Sequence, residues 1–283
     1  MIKLKTILEE WISAKDTHIE SINNKVYYDC ALDQKTREEY YSNIHFEQLN
    51  LADEMNILLV NSHTNPLRYS PHQYVYPWVD LQENLQLKSL YSGLNLNPLK
   101  TIEEDLRQLK AFQEDEFFSN GRMIYNCEHV DLHHLFACEP ACNSMRNNFP
   151  YHDYQSYTPE LAANGIRTGC GMAENGGFEP EYGKGISARA VFYFTLRYKG
   201  LISLEDLTDL ELLLKWHQEN PVALYEKHRN AAIQELQEIE IRLLIFHGRL
   251  KKCSVCSRKP PGFRRFFCLV LYPGFLHSGK CRH

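Results

Sequence analysis

The stretch GRMIYNCEHVDLHHLFACEPACNSMRNNFPYHDY, residues 121–154, concentrates the side chains of this chain that are suited to catalysis. It contains four of the 13 histidines and three of the 9 cysteines. Glu128 precedes His129, and Asn143 lies three residues before Arg146. Carboxylate and amide oxygens are ligands that Mg²⁺ prefers, a neutral imidazole accepts a proton near pH 7, and a guanidinium binds phosphate. The stretch therefore predicts metal-assisted hydrolysis of a phosphodiester.

The local patterns predict two strands followed by a helix. Residues 122–130 and 131–138 are expected to form the strands. Pro140 is expected to begin the helix, because proline is favoured in the first turn. Asn143 and Arg146 then lie on one face of that helix, since side chains three residues apart are neighbours. With helices predicted elsewhere, the expected fold class is α+β and mostly helical.

Three motifs in this stretch resemble the endonuclease I family. This family comprises metal-dependent nucleases of the ββα-metal (His-Me finger) type that cut DNA and RNA with little sequence preference. The motifs are YNCEHV, DLHHLFACEP and CNSMRNN, at residues 125–130, 131–140 and 142–148. The similarity extends outward to YVYPWVDLQENLQLKSLYSG, GKGISARAVFYF and NPVALYEKHRNAAIQELQ, at residues 74–93, 183–194 and 220–237.

The resemblance assigns roles to five residues. His129 would be the general base, and Glu128 and Asn143 would hold Mg²⁺ or another divalent cation. Arg146 would be a second catalytic residue, with Asn148 as a supporting residue on the same helix. The substrate would be DNA or RNA, held through its phosphate backbone by a monomer that does not contact a membrane.

One departure from the family pattern concerns the hairpin of the ββα core. The family has a longer connection after EHV, whereas here Val130 runs directly into Asp131. A hairpin needs a turn of at least two residues, so the two predicted strands are expected to be disrupted. The alternative to an active nuclease is therefore a catalytically inactive remnant that still binds nucleic acid.

A second departure begins at Glu238. The family continues with a segment like GNRNPxIDxPW, whereas this chain reads EIEIRLLIFHG. A coding string for GNRNPLIDFPW, read after the loss of its first base, gives all of EIEIRLLIFHG. This match predicts a one-base frameshift. The expected organisation is a helical segment over 1–62, a nuclease domain over 63–237 and a non-native basic tail over 238–283.

The tail supports a second alternative, a zinc-binding interaction protein. It contains four cysteines, Cys253, Cys256, Cys268 and Cys281. The first two form a C-x-x-C pair, but no second such pair follows, so the zinc signal is weak. Chance composition in an out-of-frame tail is the favoured interpretation.

The remaining candidates are side chains around the central stretch. His133 and His134 are adjacent, so at most one is expected to face a site, and a structural role is as well supported as a phosphate contact. Glu179 and Glu181 are expected to be solvated loop acids. A local basic groove is predicted from five side chains, Lys88, Arg122, Arg146, Lys184 and Arg189.

Composition constrains the setting in which the protein acts. The net charge of −5 does not favour strong nonspecific binding to DNA, which depends on neutralising phosphates. The chain contains no apolar run of about 18 residues, and its first residues, MIKLKTILEEWIS, carry acids where a signal peptide has an apolar run. A cytoplasmic location is expected, and with it free thiols at Cys127, Cys138, Cys142 and Cys170; the alternative, for a secreted protein, is that these cysteines form disulfides.

Elsewhere, hydrophobic spacing predicts helices over residues 2–21, 34–44, 49–62, 101–118 and 186–198. Residues 74–78 are expected to be extended, and the glycine-rich residues 165–185 are expected to be irregular.

Overall fold

The structure of the chain is a computed structural model that describes residues 25–45, 50–65, 67, 74–111, 131–157, 169–198 and 209–238. Helices dominate these ranges, accompanied by two small antiparallel sheets, which confirms the α+β class. The helices are α1 (Cys30–Tyr40), α2 (Leu51–Ser62), α3 (Pro98–Ala111), α4 (Pro140–Arg146), α5 (Lys184–Arg197), α6 (Leu210–Glu219) and α7 (Leu224–Gln237). The strands are β1 (Leu87–Lys88), β2 (Asn95–Leu96), β3 (Gly171–Glu174) and β4 (Gly177–Pro180).

Helix α5 lies at the centre of the largest hydrophobic cluster, between α2 and α6. Its residues Phe192 and Tyr193 are almost fully buried, as are Met55 of α2 and Trp216 of α6. Burying side chains of this size removes them from water at a gain of roughly 1.5–3 kcal/mol each. The predicted helices over 34–44, 49–62, 101–118 and 186–198 are confirmed where the structure describes them, with ends shifted by a few residues. The predicted helix over 2–21 lies outside the described ranges.

The segment expected to be extended near Tyr74 is instead a π-helical turn over Val75–Val79. The amide of Asp80 donates to the Val75 carbonyl, five residues earlier, at 2.8 Å. Val75 and Val79 are fully buried against Ile233 of α7 in a second hydrophobic cluster. Tertiary packing against α7 therefore outweighs the strand preference of this aromatic segment.

Residues 171–180 form a β-hairpin, so the prediction of irregular structure over 165–185 is wrong in this part. Asn175 and Gly176 connect the strands, and both have positive φ, 49° and 77°. This two-residue Asn-Gly connection matches the twist of the flanking strands. Gly171 also has a positive φ, and a Cβ there would lie 2.0 Å from the Glu179 carbonyl oxygen, so only glycine fits.

The predicted second strand over 131–138 is not formed. Residues 132–134 are a turn, in which the His134 amide donates to the Asp131 carbonyl at 3.0 Å. Residues 135–139 then run to α4 without regular structure. The predicted first strand, residues 122–130, lies outside the described ranges. Residues 131–138 thus do not supply the second strand of the ββα arrangement, and the described residues do not show that core.

Candidate functional site

Of the four predicted site residues, the structure describes Asn143 and Arg146, both on helix α4. Glu128 and His129 lie outside the described ranges. The supporting residue Asn148 follows the C-terminal end of the same helix and is exposed.

Helix α4 is too short to be stable alone. It has seven residues, whereas isolated helices shorter than about 12–15 residues are marginal in water. Pro140 begins it, as predicted, and Asn147 ends it with a φ of 47°. The position of Asn143 and Arg146 therefore depends on what tethers α4 to the rest of the fold.

A disulfide between Cys142 and Cys170 provides one tether, with the two Cα atoms 5.1 Å apart. It joins α4 to the residue that precedes strand β3. The prediction of free thiols is wrong at these two positions, because the fold brings together cysteines that are 28 residues apart in the chain. Cys30 is also disulfide-bonded, whereas Cys138 is a free thiol. Burial raises the pKa of the Cys138 thiol to about 11, so it stays protonated and unreactive near neutral pH.

The chain that leaves α4 is held by strand β4. The Phe178 amide donates to the Pro150 carbonyl at 3.0 Å, and the His152 amide donates to the Phe178 carbonyl at 2.9 Å. Tyr151 lies between these bonds and is almost fully buried. The β3–β4 hairpin is therefore attached to both ends of the α4 region, through a covalent bond and a short bridge.

The chain that enters α4 is held by the β1–β2 connection. The Leu90 amide donates to the Ala137 carbonyl at 2.9 Å. The Ser92 hydroxyl donates to a carboxylate oxygen of Glu139 at 2.6 Å. Glu139 also accepts, at its carbonyl, the bond from the Asn143 amide at 2.9 Å. These contacts fix the first turn of α4 and thereby the backbone of Asn143.

The side chain of Asn143 is exposed and makes no hydrogen bond with the described residues. Its amide oxygen is thus open to a ligand, and oxygen donors suit Mg²⁺. The described ranges contain no group of three or more His, Cys, Asp or Glu residues that could hold a metal ion. The other predicted protein ligand, Glu128, lies outside the described ranges, so the metal site stays a prediction.

The guanidinium of Arg146 lies over the ring of Tyr151, 4.7 Å from its centroid. Its Nη1 donates to the Asn147 carbonyl at 2.8 Å. Burial works against the charged form, but the hydroxyls of Tyr151 and Tyr91 outweigh this effect and raise the pKa of Arg146. Arg146 is therefore a half-buried, ordered cation beside the face that carries Asn143.

Asp131 anchors the chain directly after the predicted catalytic segment. It is fully buried, and its Oδ2 accepts from the hydroxyls of Tyr193 at 2.5 Å and Tyr198 at 3.0 Å. Its Oδ1 accepts from the His133 amide at 3.0 Å. Three donors stabilise the carboxylate, as burial of a charge requires when no ion-pair partner is present among the described residues.

Arg229 of α7 holds the same segment from the other side. Its Nη1 pairs with Asp80, and its Nη2 donates to the carbonyls of Leu132 and Leu135, the latter at 2.6 Å. Asp80 also accepts from the Ala137 amide at 2.5 Å. A single buried ion pair thus satisfies several backbone groups of residues 132–137, a loop that has no sheet partner.

Gln237, the last residue of α7, completes this framework. Its Oε1 accepts from the Leu132 amide at 2.9 Å, so its Nε2 faces His63 and donates to the His63 Nε2 at 3.1 Å. The His63 nitrogen must then be an acceptor, which requires a neutral imidazole. Burial, with a smaller contribution from Arg197, lowers the pKa of His63 in spite of the attraction of Asp131.

The predicted basic groove is largely occupied by internal pairs. Arg189 is buried and makes a bidentate ion pair with Glu226, at 2.7 and 2.8 Å. Lys184 pairs with Glu179 at 2.5 Å. Lys88 lies over the ring of Tyr182, 5.3 Å from its centroid, and Arg122 lies outside the described ranges.

The expectation that Glu179 and Glu181 are solvated is wrong. Both are almost fully buried, at 3% and 2% exposure. Glu179 binds Lys184 and the Tyr154 amide, and Glu181 accepts from the Tyr157 hydroxyl. They are structural acids that connect the hairpin to neighbouring loops.

His133 and His134 differ in environment. His133 is buried at 3% exposure, with its ring 4.8 Å from the ring of Tyr193, whereas His134 is exposed. His133 also lines a cavity of about 20 Å³ with Arg189, Glu226 and Arg229. A space of this size holds about one water molecule and is far smaller than a nucleotide. The structural role of His133 is therefore favoured over a phosphate contact.

Sequence reasoning missed Asp131, Tyr151 and Arg229 as residues that build the site. Asp131 is the first residue of the motif DLHHL, and an acid between the apolar residues Val130 and Leu132 was the available signal. Arg229 carries no local signal, because its partners are distant in the chain. Tyr151 lies five residues from Arg146, but the residues that hold its ring, Tyr91, Phe178 and Trp216, are distant in the chain. No helix among the described ranges is long and apolar enough to cross a membrane.

Comparisons with known proteins agree with the resemblance. A family model described as Endonuclease I matches residues 1–240. An extracellular ribonuclease of Bacillus amyloliquefaciens is 32% identical over 121 residues, which cover 38% of this chain and 39% of that protein. This chain thus spans about two fifths of the relative's length, and no solved structure matches it. Since the family model covers most of the sequence, the chain belongs to the endonuclease I family.

Proposed function

We propose that this protein is a metal-dependent endonuclease that hydrolyses phosphodiester bonds in DNA, RNA or both with little sequence specificity. Membership of the endonuclease I family supports the reaction class. The observation that carries the proposal is helix α4, which presents an open amide at Asn143 and an ordered guanidinium at Arg146. Contacts made mainly to phosphates carry no sequence information, which accounts for low specificity.

Each proposed residue has one task. Glu128 and Asn143 supply oxygen ligands for Mg²⁺. When bound, Mg²⁺ supplies charge that stabilises the scissile phosphate and the leaving oxygen. His129 takes a proton from the attacking water. Arg146 binds the phosphate and stabilises the charge that develops on it.

The disulfides bear on where the protein acts. Disulfides persist in oxidising compartments and are rare in the cytoplasm. Cys142–Cys170 and the bonded Cys30 therefore favour an exported protein over the cytoplasmic location expected from the sequence. The similar ribonuclease of Bacillus amyloliquefaciens carries the word extracellular in its name. We propose that this chain, too, is active outside the cytoplasm.

We also propose that the nuclease domain ends at Gln237 and that the residues after it are out of frame. Gln237 is fully buried and bonded to Leu132 and His63, so the native register reaches this position. The family model matches to residue 240. Resequencing the gene at the codons of Gln237 and Glu238 tests the hypothesis, and an intact frame there would refute it.

The second candidate function is an inactive remnant that still binds nucleic acid. The turn over residues 132–134 favours it. Asp131 is fixed by three hydrogen bonds immediately after Val130, and residues 131–138 form no strand that a hairpin could use. Both candidates bind nucleic acid, and they differ in whether His129 acts as a general base in cleaving it.

A plasmid-nicking assay separates the two candidates. Supercoiled plasmid is incubated with the wild-type protein in Mg²⁺ and in EDTA, beside His129→Ala and the control His45→Ala, which changes an exposed histidine outside the predicted catalytic stretch. An active nuclease nicks only in Mg²⁺, and loss of general-base catalysis in His129→Ala lowers the rate by about 10²–10⁴-fold while His45→Ala leaves it unchanged.

The absence of nicking by a wild-type sample with a cooperative unfolding transition would refute the endonuclease proposal. Retention of plasmid in a gel-shift assay by that inactive sample would instead support the remnant. Equal rates for the wild type and His129→Ala would remove His129 from the mechanism.

A further inference from the structure

The ring of Tyr151 and the carbonyl of Asn147 both contact the guanidinium of Arg146, from different directions. The ring supports one face, at 4.7 Å from its centroid to the guanidinium carbon, and the carbonyl accepts from Nη1 at 2.8 Å. A surface arginine normally samples many rotamers, because its side chain has about 2 kcal/mol of rotamer entropy. The ring contact on one face and the hydrogen bond at Nη1 together restrict that freedom.

We propose that Tyr151 and Asn147 are positioning residues that hold the Arg146 guanidinium in one orientation for contact with a phosphate of the nucleic-acid substrate. This inference rests on the proposed function, and it adds two residues that touch Arg146 and have no predicted contact with the substrate. An ordered guanidinium binds a phosphate without first losing side-chain freedom, so its contribution to affinity and rate is larger.

Tyr151 is itself rigidly held. Its hydroxyl lies 3.2 Å from the hydroxyl of Tyr91, and its ring packs edge-on against Trp216 at 5.6 Å. Phe178 contacts the same ring, and the backbone of Tyr151 bridges to Phe178 of strand β4. Only 7% of the Tyr151 surface is exposed to solvent. The ring is therefore a fixed surface that connects Arg146 to the largest hydrophobic cluster.

Asn147 adopts a backbone conformation that suits this role and disfavours most residues. Its φ of 47° and ψ of −139° lie in a region that side chains other than glycine rarely occupy. Such a conformation costs on the order of 1–3 kcal/mol and is typical of functional sites. Here it ends α4 and turns the carbonyl back toward Arg146. The strain thus coincides with a contact to the side chain proposed to bind phosphate.

The guanidinium of Arg146 has no counter-charge among the described residues. Among the described residues, no carboxylate lies within salt-bridge distance of its guanidinium, whereas Lys184, Arg189 and Lys215 all have such partners. Its Nε is buried and bonds to no described residue. The phenol oxygens of Tyr91 and Tyr151 favour the cation without neutralising it. A guanidinium that is held in one orientation and has no carboxylate partner in the described ranges is suited to phosphate recognition.

The experiment compares Tyr151→Leu, which removes the aromatic face, with Tyr151→Phe, which keeps that face and loses only the hydroxyl. The first readout is the ¹⁵N–¹H signal of Arg146 Nε, assigned with Arg146→Lys and recorded without Mg²⁺. We expect a ring-shifted, slowly exchanging signal in the wild type and in Tyr151→Phe. In Tyr151→Leu we expect the signal to move to the position of solvated arginines.

The second readout is titration of the same samples with a short DNA duplex in EDTA. We expect the duplex to shift the Arg146 signal in the wild type, and Tyr151→Leu to bind with roughly tenfold lower affinity, in line with the loss of an ordered contact. Asn147→Gly tests the contact between the Asn147 carbonyl and Arg146. Glycine adopts this backbone conformation without strain and gives the end of α4 more conformational freedom. We expect it to broaden the Arg146 signal without lowering the melting temperature.

The third readout is a double-mutant cycle on kcat/KM for nicking. In the wild-type background, we expect Tyr151→Leu to lower kcat/KM by about 10–100-fold, because small displacements of catalytic groups have effects of this size. In the Arg146→Ala background, we expect the same change to lower kcat/KM by less than about threefold. A merely structural role of Tyr151 would lower kcat/KM equally in both backgrounds, and that result would overturn the proposal.

The outcomes for the two proposals are distinguishable. If the wild type is folded but does not nick, the proposed endonuclease function fails, while the Arg146 signal and the duplex titration still decide the positioning proposal. An Arg146 signal at the solvated position in the wild type, or an unchanged duplex affinity in Tyr151→Leu, overturns positioning whether or not the protein is a nuclease.

Discussion

The carboxylate of Asp131 accepts a hydrogen bond from the hydroxyl of Tyr193 at 2.5 Å, although the two residues are 62 positions apart in the chain. Both side chains are buried, and Tyr193 lies on the central helix α5. This bond links the residue that follows Val130, at the end of the predicted catalytic segment, to helix α5 at the centre of the largest described hydrophobic cluster. Burial and the nearby Asp131 charge raise the pKa of Tyr193, so the tyrosine stays a hydrogen-bond donor at any physiological pH.

Replacing Tyr193 with phenylalanine removes this donor and keeps the ring. We expect the free energy of unfolding to fall by about 2 kcal/mol, because hydrogen bonds to charged groups contribute roughly 1.5–3 kcal/mol. Urea denaturation measures it, with Tyr28→Phe as the control for a hydroxyl nearer the surface. A loss below that of Tyr28→Phe would show that Tyr193 does not hold Asp131.

Protonation of His63 should weaken the fold at low pH. Burial lowers the folded-state pKa of His63 below its usual value of 6.5, so its contribution to stability is present above pH 6.5 and is lost as pH falls through the folded-state pKa. Protonation also removes the acceptor for Gln237. The unfolding free energies of the wild type and of His63→Gln, measured between pH 7.5 and 5, should therefore converge as the pH falls. A constant difference would contradict the neutral imidazole, and exposed His45→Gln supplies the baseline.

Removal of the Cys142–Cys170 disulfide should destabilise the protein. A crosslink that closes a loop of 28 residues is expected to contribute about 3–4 kcal/mol by restricting the unfolded chain. The double variant Cys142→Ser with Cys170→Ser should melt at a lower temperature in calorimetry than the wild type. Because it lacks this disulfide, dithiothreitol should lower its melting temperature less than that of the wild type. Cys138→Ser is the matched control, because Cys138 is a free thiol on the same segment. If the double variant and Cys138→Ser lost the same amount of stability, the Cys142–Cys170 disulfide would not form in the protein.

Arg189 should prove to be a structural residue that does not contact substrate. Glu226→Gln leaves its buried guanidinium without a counter-charge, and breaking such a pair typically costs 3–5 kcal/mol. The exposed pair of Lys215 and Asp153 provides the comparison, since Lys215→Met should cost less than about 1 kcal/mol. Chemical denaturation measures both. A stable Glu226→Gln protein with weakened binding of nucleic acid would instead restore Arg189 to the predicted groove.

The parts of the fold that local patterns control were predictable. Amphipathic spacing locates the described helices, and proline correctly marks the start of α4. The β3–β4 hairpin was predictable too, because Asn175-Gly176 between short strands is a strong hairpin signal. The glycines around it were instead interpreted as irregular structure. Fold class and the position of Asn143 and Arg146 on one helix thus follow from sequence.

The parts that distant contacts control were not predictable. Residues 131–138 have the composition of a strand, but Asp131 and Leu132 are bound by α5 and α7, which hold them in a turn. Glu179 is buried only because Lys184 and the Tyr154 amide surround it. The pairing of Cys142 with Cys170 depends on the hairpin that brings them together. In each case the partner is known only once the fold is known.

A comparison of how plasmid cleavage depends on Mg²⁺ concentration in the wild type and in Asn143→Ala tests whether Asn143 is a metal ligand. Ser144→Ala, an exposed change on the same helix, is the control. If Asn143 is a metal ligand, its loss should raise the Mg²⁺ concentration for half-maximal cleavage by at least about tenfold, since even residues that only orient metal ligands cost 10–100-fold. Superimposable curves for the wild type, Asn143→Ala and Ser144→Ala would contradict the assignment of this site.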